Sequence, residues 1–341
     1  MEIKIMDVAA RAGVSSATVS RVVNNKGNVT PRTRERVLKV IREMGYQPNA
    51  AAKSLRSQKT KAIGVIVQEI NHSYYAEIVK GIQREAYANK YNVFICDTEN
   101  NRDKEREFFN LLMNRTVDAM ILVTPLMTDE EICRFAEKNY CIGIIGRSIQ
   151  HDQIPCVLTD NVKFSKEVVD HLVSQGHREI AFLSGFADAV DSYERLEGYL
   201  KALREHQLPF DPGLVENGNF CEQGGYEAVK RLFEKRVGVT AIYSANDEMA
   251  LGIYRYCEEH GIKIPEQLAV VGVDNNRISR YITPKLSTVR QPTVNMGISI
   301  MQKLIRRLET GEIGEERVLT LESQLIVRDS SNYPIQPQNR S

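Results

Sequence analysis

The sequence predicts a small all-α head followed by an α/β core of two doubly wound lobes. Three observations carry this. Residues 1–47 hold apolar positions at helical spacing, punctuated by Gly13 and Gly45. From residue 61, short apolar runs alternate with helical stretches in two successive series. Charge divides at the same place. Residues 1–60 hold 12 Lys+Arg against 4 Asp+Glu, and the rest hold 33 against 40. A head of net +8 on a body of net −7 points to a polyanionic partner for the head. Charge alone fits a solvated basic surface equally well.

In the head, Ile5, Met6, Val8, Ala9 and Ala12 form a short amphipathic helix that stops at Gly13. Ser15 caps the next helix by accepting from its first-turn N–H groups. There Val19, Val22 and Val23 provide the inward stripe, and Ser16, Ala17, Thr18, Ser20 and Arg21 lie outside. Thr30-Pro31 starts a third helix, with Val37, Leu38, Ile41 and Met44 as its apolar face. Two helices joined by a glycine turn and backed by a third give helix-turn-helix geometry. Such a recognition helix leads into the major groove with its N-terminal residues. Arg21 can fork onto guanine, and Ala17 and the Thr18 methyl can touch the thymine methyl.

Residues 48–60 read as a linker. Pro48 breaks the chain and Asn49 caps a short Ala-rich segment ending at Leu55. Alone it is too short for a stable helix in water. It folds against DNA or a second copy, with Leu55 as an apolar wedge for a minor-groove step. An ordinary solvated linker fits the composition too.

In the core, "AIGVIV", "NVFICDT", "AMILVT", "CIGIIG" and "CVLTD" form one strand series. "EIAFLSG", "LVENGNF", "AIYSAND" and "LAVVGVDN" form the second. Buried strands alternating with helices predict parallel sheets covered on both faces. Ligands of such lobes bind beyond the carboxyl ends of the strands. Polar and aromatic residues gather there: Asn71, Tyr74, Tyr75, Asp97, Arg147, Arg195, Phe220, Asn246 and Asp274. Carboxylate, amide and guanidinium groups around an aromatic face suit a small polyhydroxy ligand. Plainer roles remain open. Asp247 and Asp274 also fit as helix caps, Phe220 as core, and Tyr74 and Tyr75 as cover for the cleft rim.

Other chemistry finds no support. There is no glycine-rich phosphate loop for a nucleotide cofactor and no nucleophile elbow. The six histidines show no metal spacing, so neither metal nor cofactor is expected. No apolar run reaches the ~18 residues of a membrane span, and no secretion signal is visible. The six cysteines, without a C-x-x-C pair and mostly within apolar runs, read as reduced core residues of a cytoplasmic protein.

The elements "IMDVAARAGVSSATVSRVVNN", "VTPRTRERV", "GYQPNAAAKSL" and "IGVIV", in this order, resemble the LacI-type (lactose/galactose repressor) family of bacterial transcription regulators. The resemblance runs from about Ile3 to about Arg328. It implies a helix-turn-helix head, a hinge helix over 48–60 and a periplasmic-binding-protein-like core over 61–330. Lobe one then takes about 61–160 and 292–321, lobe two about 162–289 and 323–330, and a flexible tail 331–341. The final strands, near 287–291 and 319–327, cross between lobes. The implied DNA contacts are Ile5, Ser15, Ser16, Ala17, Thr18, Ser20, Arg21, Asn24, Asn28, Thr30, Thr33, Tyr46, Asn49, Ala52, Leu55 and Arg56. Arg195, Phe220, Asn246 and Asp274 match positions that line the family's effector pocket. Leu251 and Tyr281 match positions used between subunits of a homodimer.

Three departures stand out. Lys4 occupies a position where Ser or Thr often caps the first helix, with Asp7 as partial compensation. "NHSYY" replaces an N-P-aromatic-aromatic pattern, and Gly146-Arg147 stands where an aspartate is frequent. Arg147 and Arg195 together lean toward an acidic sugar or sugar phosphate. The expected function is a transcription regulator, a repressor of a carbohydrate-use operon, reading a pseudo-palindromic operator as a dimer under control of a sugar-like effector. The rivals are a global catabolite regulator with a phosphorylated carrier protein as corepressor and a sugar-binding transport protein. An enzyme on the same lobes lacks its nucleophile or metal set.

Overall fold

The computed structural model describes residues 3–24, 27–46, 59–235 and 238–333. The chain divides into two compact units, 1–60 and 61–341. The first contains helices α1 (Ile5–Ala12), α2 (Ser16–Val23) and α3 (Pro31–Met44). Gly13 ends α1 in the left-handed conformation at φ 62°, which a glycine adopts without a Cβ penalty. The Ser15 hydroxyl accepts from Thr18 N at 3.2 Å and so starts α2. Asp7 does compensate at Lys4, its carboxylate accepting the Lys4 N–H at 2.8 Å.

Val8, Ala9, Ala12, Val19, Val22, Val37 and Val40 close the small core of the head. Two expectations change here. Leu38 is 41 % exposed, and Val40 takes the inward place beside Val37. Met6 is 68 % exposed, on the outer side of α1. The linker contacts expected at Asn49, Ala52, Leu55 and Arg56 lie outside the described residues.

The second unit carries two six-stranded sheets. In lobe one the strands are β1 (Ala62–Val67), β2 (Asn92–Asp97), β3 (Ala119–Val123), β4 (Ile142–Ile145) and β5 (Cys156–Thr159), with β11 (Val318–Leu321) added late. Their order is β11-β5-β4-β3-β1-β2, all parallel. Lobe two contains β6 (Ile180–Ser184), β7 (Val215–Asn217), β8 (Ala241–Ser244), β9 (Ala269–Val273), β10 (Ser287–Arg290) and β12 (Gln324–Ile326). Their order is β12-β10-β9-β8-β6-β7, and β12 alone runs antiparallel.

The helices cover the sheets. Lobe one has α4 (Ser73–Ala88), α5 (Arg102–Phe108), α6 (Asn110–Met113), α7 (Asp129–Glu137) and α12 (Thr293–Thr310). Lobe two has α8 (Asn161–Ser174), α9 (Val190–Glu205), α10 (Glu222–Lys235) and α11 (Asp247–His260). Each sheet therefore buries an apolar layer on both faces. The exception is edge strand β2, where Phe94 and Ile95 are 48 % and 42 % exposed.

The chain passes between lobes three times: after β5, after β10, and between β11 and β12. A tail beginning at 331 is not what residue 331 does. Ser331 is buried, and its hydroxyl bonds Ser287 Oγ at 2.7 Å and His171 Nε2 at 2.8 Å. Of the cysteines, Cys221 is exposed rather than in a core. Among the described residues, no helix is long and apolar enough to cross a membrane.

Candidate nucleic-acid interface and effector cleft

On the head, Ser16, Ala17 and Arg21 are exposed on one helix whose Val19 and Val22 are buried. Several other expected contacts already have local duties. Ser15 and Thr30 cap helices, and Thr18 and Thr33 bond those caps at 2.9 Å. Asn24 donates to Ser20 O at 2.8 Å. Ile5 and Tyr46 pack against the core of the head. Ser20 is half-buried and Asn28 exposed.

Between the lobes of the second unit lies a narrow cleft, at the carboxyl ends of β1, β6, β8 and β9. Of the residues expected there, Tyr74, Tyr75, Arg195, Phe220, Asn246 and Asp274 line it. Arg195 projects from α9 and is buried. Its Nε donates to Asn161 Oδ1 at 3.0 Å, one terminal nitrogen donates to the Ala245 carbonyl, and the other lies 3.6 Å from Asp191 Oδ2. Burial opposes the Arg195 charge, but Asp191 and Asp274 outweigh it and strengthen proton binding.

Phe220 and Asp274 sit on strained backbone, at φ 55° and 108°. Residues other than glycine adopt such angles at a cost, and only where the surroundings hold them. Asn246 holds the first: its Nδ2 donates to the Phe220 carbonyl at 2.8 Å while its Oδ1 caps α11 through Met249 N. Asp247 braces the second, accepting from Asn276 N at 2.9 Å and Thr288 Oγ1 at 2.6 Å. Helix capping thus falls to Asn246, while Asp274 faces the cleft. Burial pushes the Asp274 carboxyl up to about 7, against the pull of Arg195 and of the Gln291 hydrogen bond.

Three expected residues are placed elsewhere. Asn71 is exposed in a turn and does not line the cleft. Asp97 accepts from the backbone N–H groups of Ile70 and Glu99, at 3.2 and 3.1 Å, and so braces the loop after β1. Arg147 lines an adjoining compartment that shares Gln68, Tyr75, Phe186, Asp191 and Phe220 with the cleft. There it meets Asp129 at 3.0 Å and the carbonyls of Pro125 and Met127. The lean toward an acidic ligand needed two available guanidinium groups. Each has an acid beside it, so that support is withdrawn.

Known proteins share this fold and this order of units. A profile described as bacterial regulatory proteins, lacI family, matches residues 4–49, and one for a periplasmic binding protein-like domain matches 169–331. Catabolite control protein A of Priestia megaterium is 34 % identical over 332 residues, 97 % of this chain and 100 % of that protein. This chain belongs to the LacI family. Among solved structures, the Lac repressor dimer bound to operator and the anti-inducer ONPF superposes with a TM-score of 0.87 at 27 % identity, covering 97 % of this chain and 99 % of that one. A CelR–cellobiose complex superposes with a TM-score of 0.74 at 31 % identity, covering 96 % and 100 %.

As a LacI-family member the protein is a DNA-binding transcription regulator with an effector-binding core. Its cleft also contains residues that sequence reasoning missed: Gln68, Glu69, His72, Asn100, Phe186 and Asp191. Gln68 and Glu69 directly follow β1, where ligands of open α/β sheets bind. Asp191 stands four residues before Arg195 on one helix, a spacing that places two side chains together. Leu251 and Tyr281, expected between subunits, both belong to lobe two; Tyr281 is 69 % exposed with the Arg277 guanidinium 5.7 Å from its ring centre.

Proposed function

We propose that this LacI-family protein is a repressor whose operator affinity is set by a sugar-like effector held between the lobes of its core. The observation that supports it is a single cleft where Arg195, Asp274, Phe220 and Tyr74 meet at strand ends. Rings cover the apolar face of a sugar, and the polar groups orient its hydroxyls. The relatives point the same way, one solved with cellobiose and one as a dimer on its operator. In our reading two copies present two α2 helices to half-sites about one helical turn apart. Effector binding and operator binding then change each other's affinity by the same factor.

The test is direct. DNA fragments selected by the full chain from a random pool give the operator, and fluorescence anisotropy on it is repeated with a panel of mono- and disaccharides. A palindromic selected site whose binding shifts with one sugar supports the proposal. A selected site that no sugar affects overturns it. A second reading, catabolite control, draws on the 34 % identical relative. Tightening of operator binding by a phosphorylated carrier protein, and not by sugars, would favour that one.

A further inference from the structure

Carboxylates outnumber cations in the cleft. Glu69 from lobe one and Asp191 and Asp274 from lobe two line the same space, with Arg195 as the one arginine or lysine among the lining residues. That guanidinium is engaged by Asn161 and Ala245, so only one terminal nitrogen faces Asp191, at 3.6 Å. Asp191 makes no other hydrogen bond or close ion pair among the described residues, and the more distant Arg147 charge acts on it from the adjoining compartment. Asp274 Oδ1 accepts from Gln291 Nε2 at 2.8 Å, and its second oxygen has no partner among the described residues. Among the described residues Glu69 accepts only from Asn100, at 3.3 Å, with His72 Nε2 3.9 Å away.

The amides nearby are each partly engaged. Gln68 bonds Thr124 O and the Tyr75 hydroxyl, and Asn246 bonds Phe220 O. The remaining walls are rings: Tyr74 and Tyr75 edge to face at 5.3 Å, and Phe186 and Phe220 edge to face at 5.8 Å. Burial pushes both Asp191 and Asp274 toward the protonated form, and hydroxyl groups alone would fill these acceptors without supplying the positive charge that lets them ionise. A buried charge needs a counter-charge, and aromatic faces attract cations.

We propose that the effector is a polyhydroxy compound bearing an ammonium group, an amino sugar or a close relative, with the amine directed at Asp191 and Asp274. This rests on the sugar-sensor reading above. The elevated proton affinity of Asp274 agrees with it, because the empty site keeps a proton where a ligand's positive charge would sit.

Isothermal titration of the full chain at neutral pH tests it, with glucosamine, galactosamine and mannosamine against their neutral parents, their N-acetyl forms, and glucuronate and galacturonate. The expected result is that one amine binds at least about tenfold tighter than its parent and its N-acetyl form. Asp191→Asn should reduce that preference to about threefold or less. The proposal is overturned if no amine binds, if parent and amine bind alike, or if the preference survives in Asp191→Asn. If a neutral or acidic sugar binds and shifts operator affinity while no amine does, the amine falls and the sugar sensor stands. If nothing in the panel binds, the amine falls, and the sugar sensor is decided by the operator test with mono- and disaccharides. The wild-type panel decides the main point even where the variant fails to fold.

Discussion

The Phe220 ring occupies the space that a side chain at position 185 would take. A Cβ built on Gly185 would lie 1.9 Å from the ring. Glycine at the end of β6 therefore lets the ring stand upright in the cleft, where it meets Phe186 edge to face and lies 5.8 Å from the Arg195 guanidinium. Gly185→Ala should displace the ring and weaken effector binding by about tenfold or more, while operator binding in the absence of effector is kept. Titration and anisotropy measure the two separately. In a Phe220→Ala background the same substitution should add little, because residues in contact are not additive. Additive losses would show that Gly185 acts by some other route.

Arg21 is the exposed long side chain of α2, and its stem passes over Gly27, with Cδ 3.4 Å from where a Cβ there would be. Arg21→Ala should lower operator affinity by ~1–3 kcal/mol and relax base preference at one position of each half-site. Selection from a random pool reports both. An unchanged consensus would make Arg21 a phosphate contact, because phosphate contacts carry no sequence information.

Every strand series and all three head helices were legible, because burial on both faces writes continuous apolar runs and caps have side-chain signatures. Leu38 was misplaced because 37, 38, 41 and 44 fit a helical stripe as well as 37 and 40 do, and only packing against α1 and α2 chooses. Arg195, Phe220, Asn246 and Asp274 were singled out at strand ends and through a resemblance, and all four line one cleft. Asp97 looked equally suitable from its place at a strand end. Its carboxylate instead satisfies two loop N–H groups, and such an engagement depends on how a loop folds back. Asp191 and Phe186 went unseen because nothing local marks which side of α9, or which residue after β6, turns toward the other lobe.

His177 is buried, with Nδ1 3.0 Å from Thr240 Oγ1 and no partner for Nε2 among the described residues. Burial, with help from His171, pushes its pKa down to about 4. The unfolded chain, near 6.5, then binds a proton that the folded chain refuses. Stability is therefore full above pH 6.5 and falls as pH drops toward 4, with this residue contributing on the order of 3 kcal/mol across the window. Urea unfolding at several pH values should show that slope, and His177→Asn should flatten it. An equal slope in the variant would assign acid sensitivity to other groups.

Gln291 lies on the second passage between lobes and joins two things at once. Its Nε2 donates to Asp274 Oδ1 at 2.8 Å, and its Oε1 accepts from Thr159 Oγ1, at the first passage, at 3.0 Å. Two inter-lobe connections are thereby tied to a carboxylate that faces the effector. A ligand that pulls on Asp274 acts on both passages, and a ligand shifts an equilibrium only through contacts that differ between states. Gln291→Ala should weaken effector binding by about tenfold, since a hydrogen bond to a charged group contributes ~1.5–3 kcal/mol. It should also narrow the ratio of operator affinities with and without effector. Thr159→Val separates the two effects, because it keeps the bond to Asp274 and removes the tie to the first passage. In that variant effector affinity should stay within about twofold while the operator ratio still falls. If Thr159→Val leaves the operator ratio at its wild-type value, the link between the two passages carries none of the coupling.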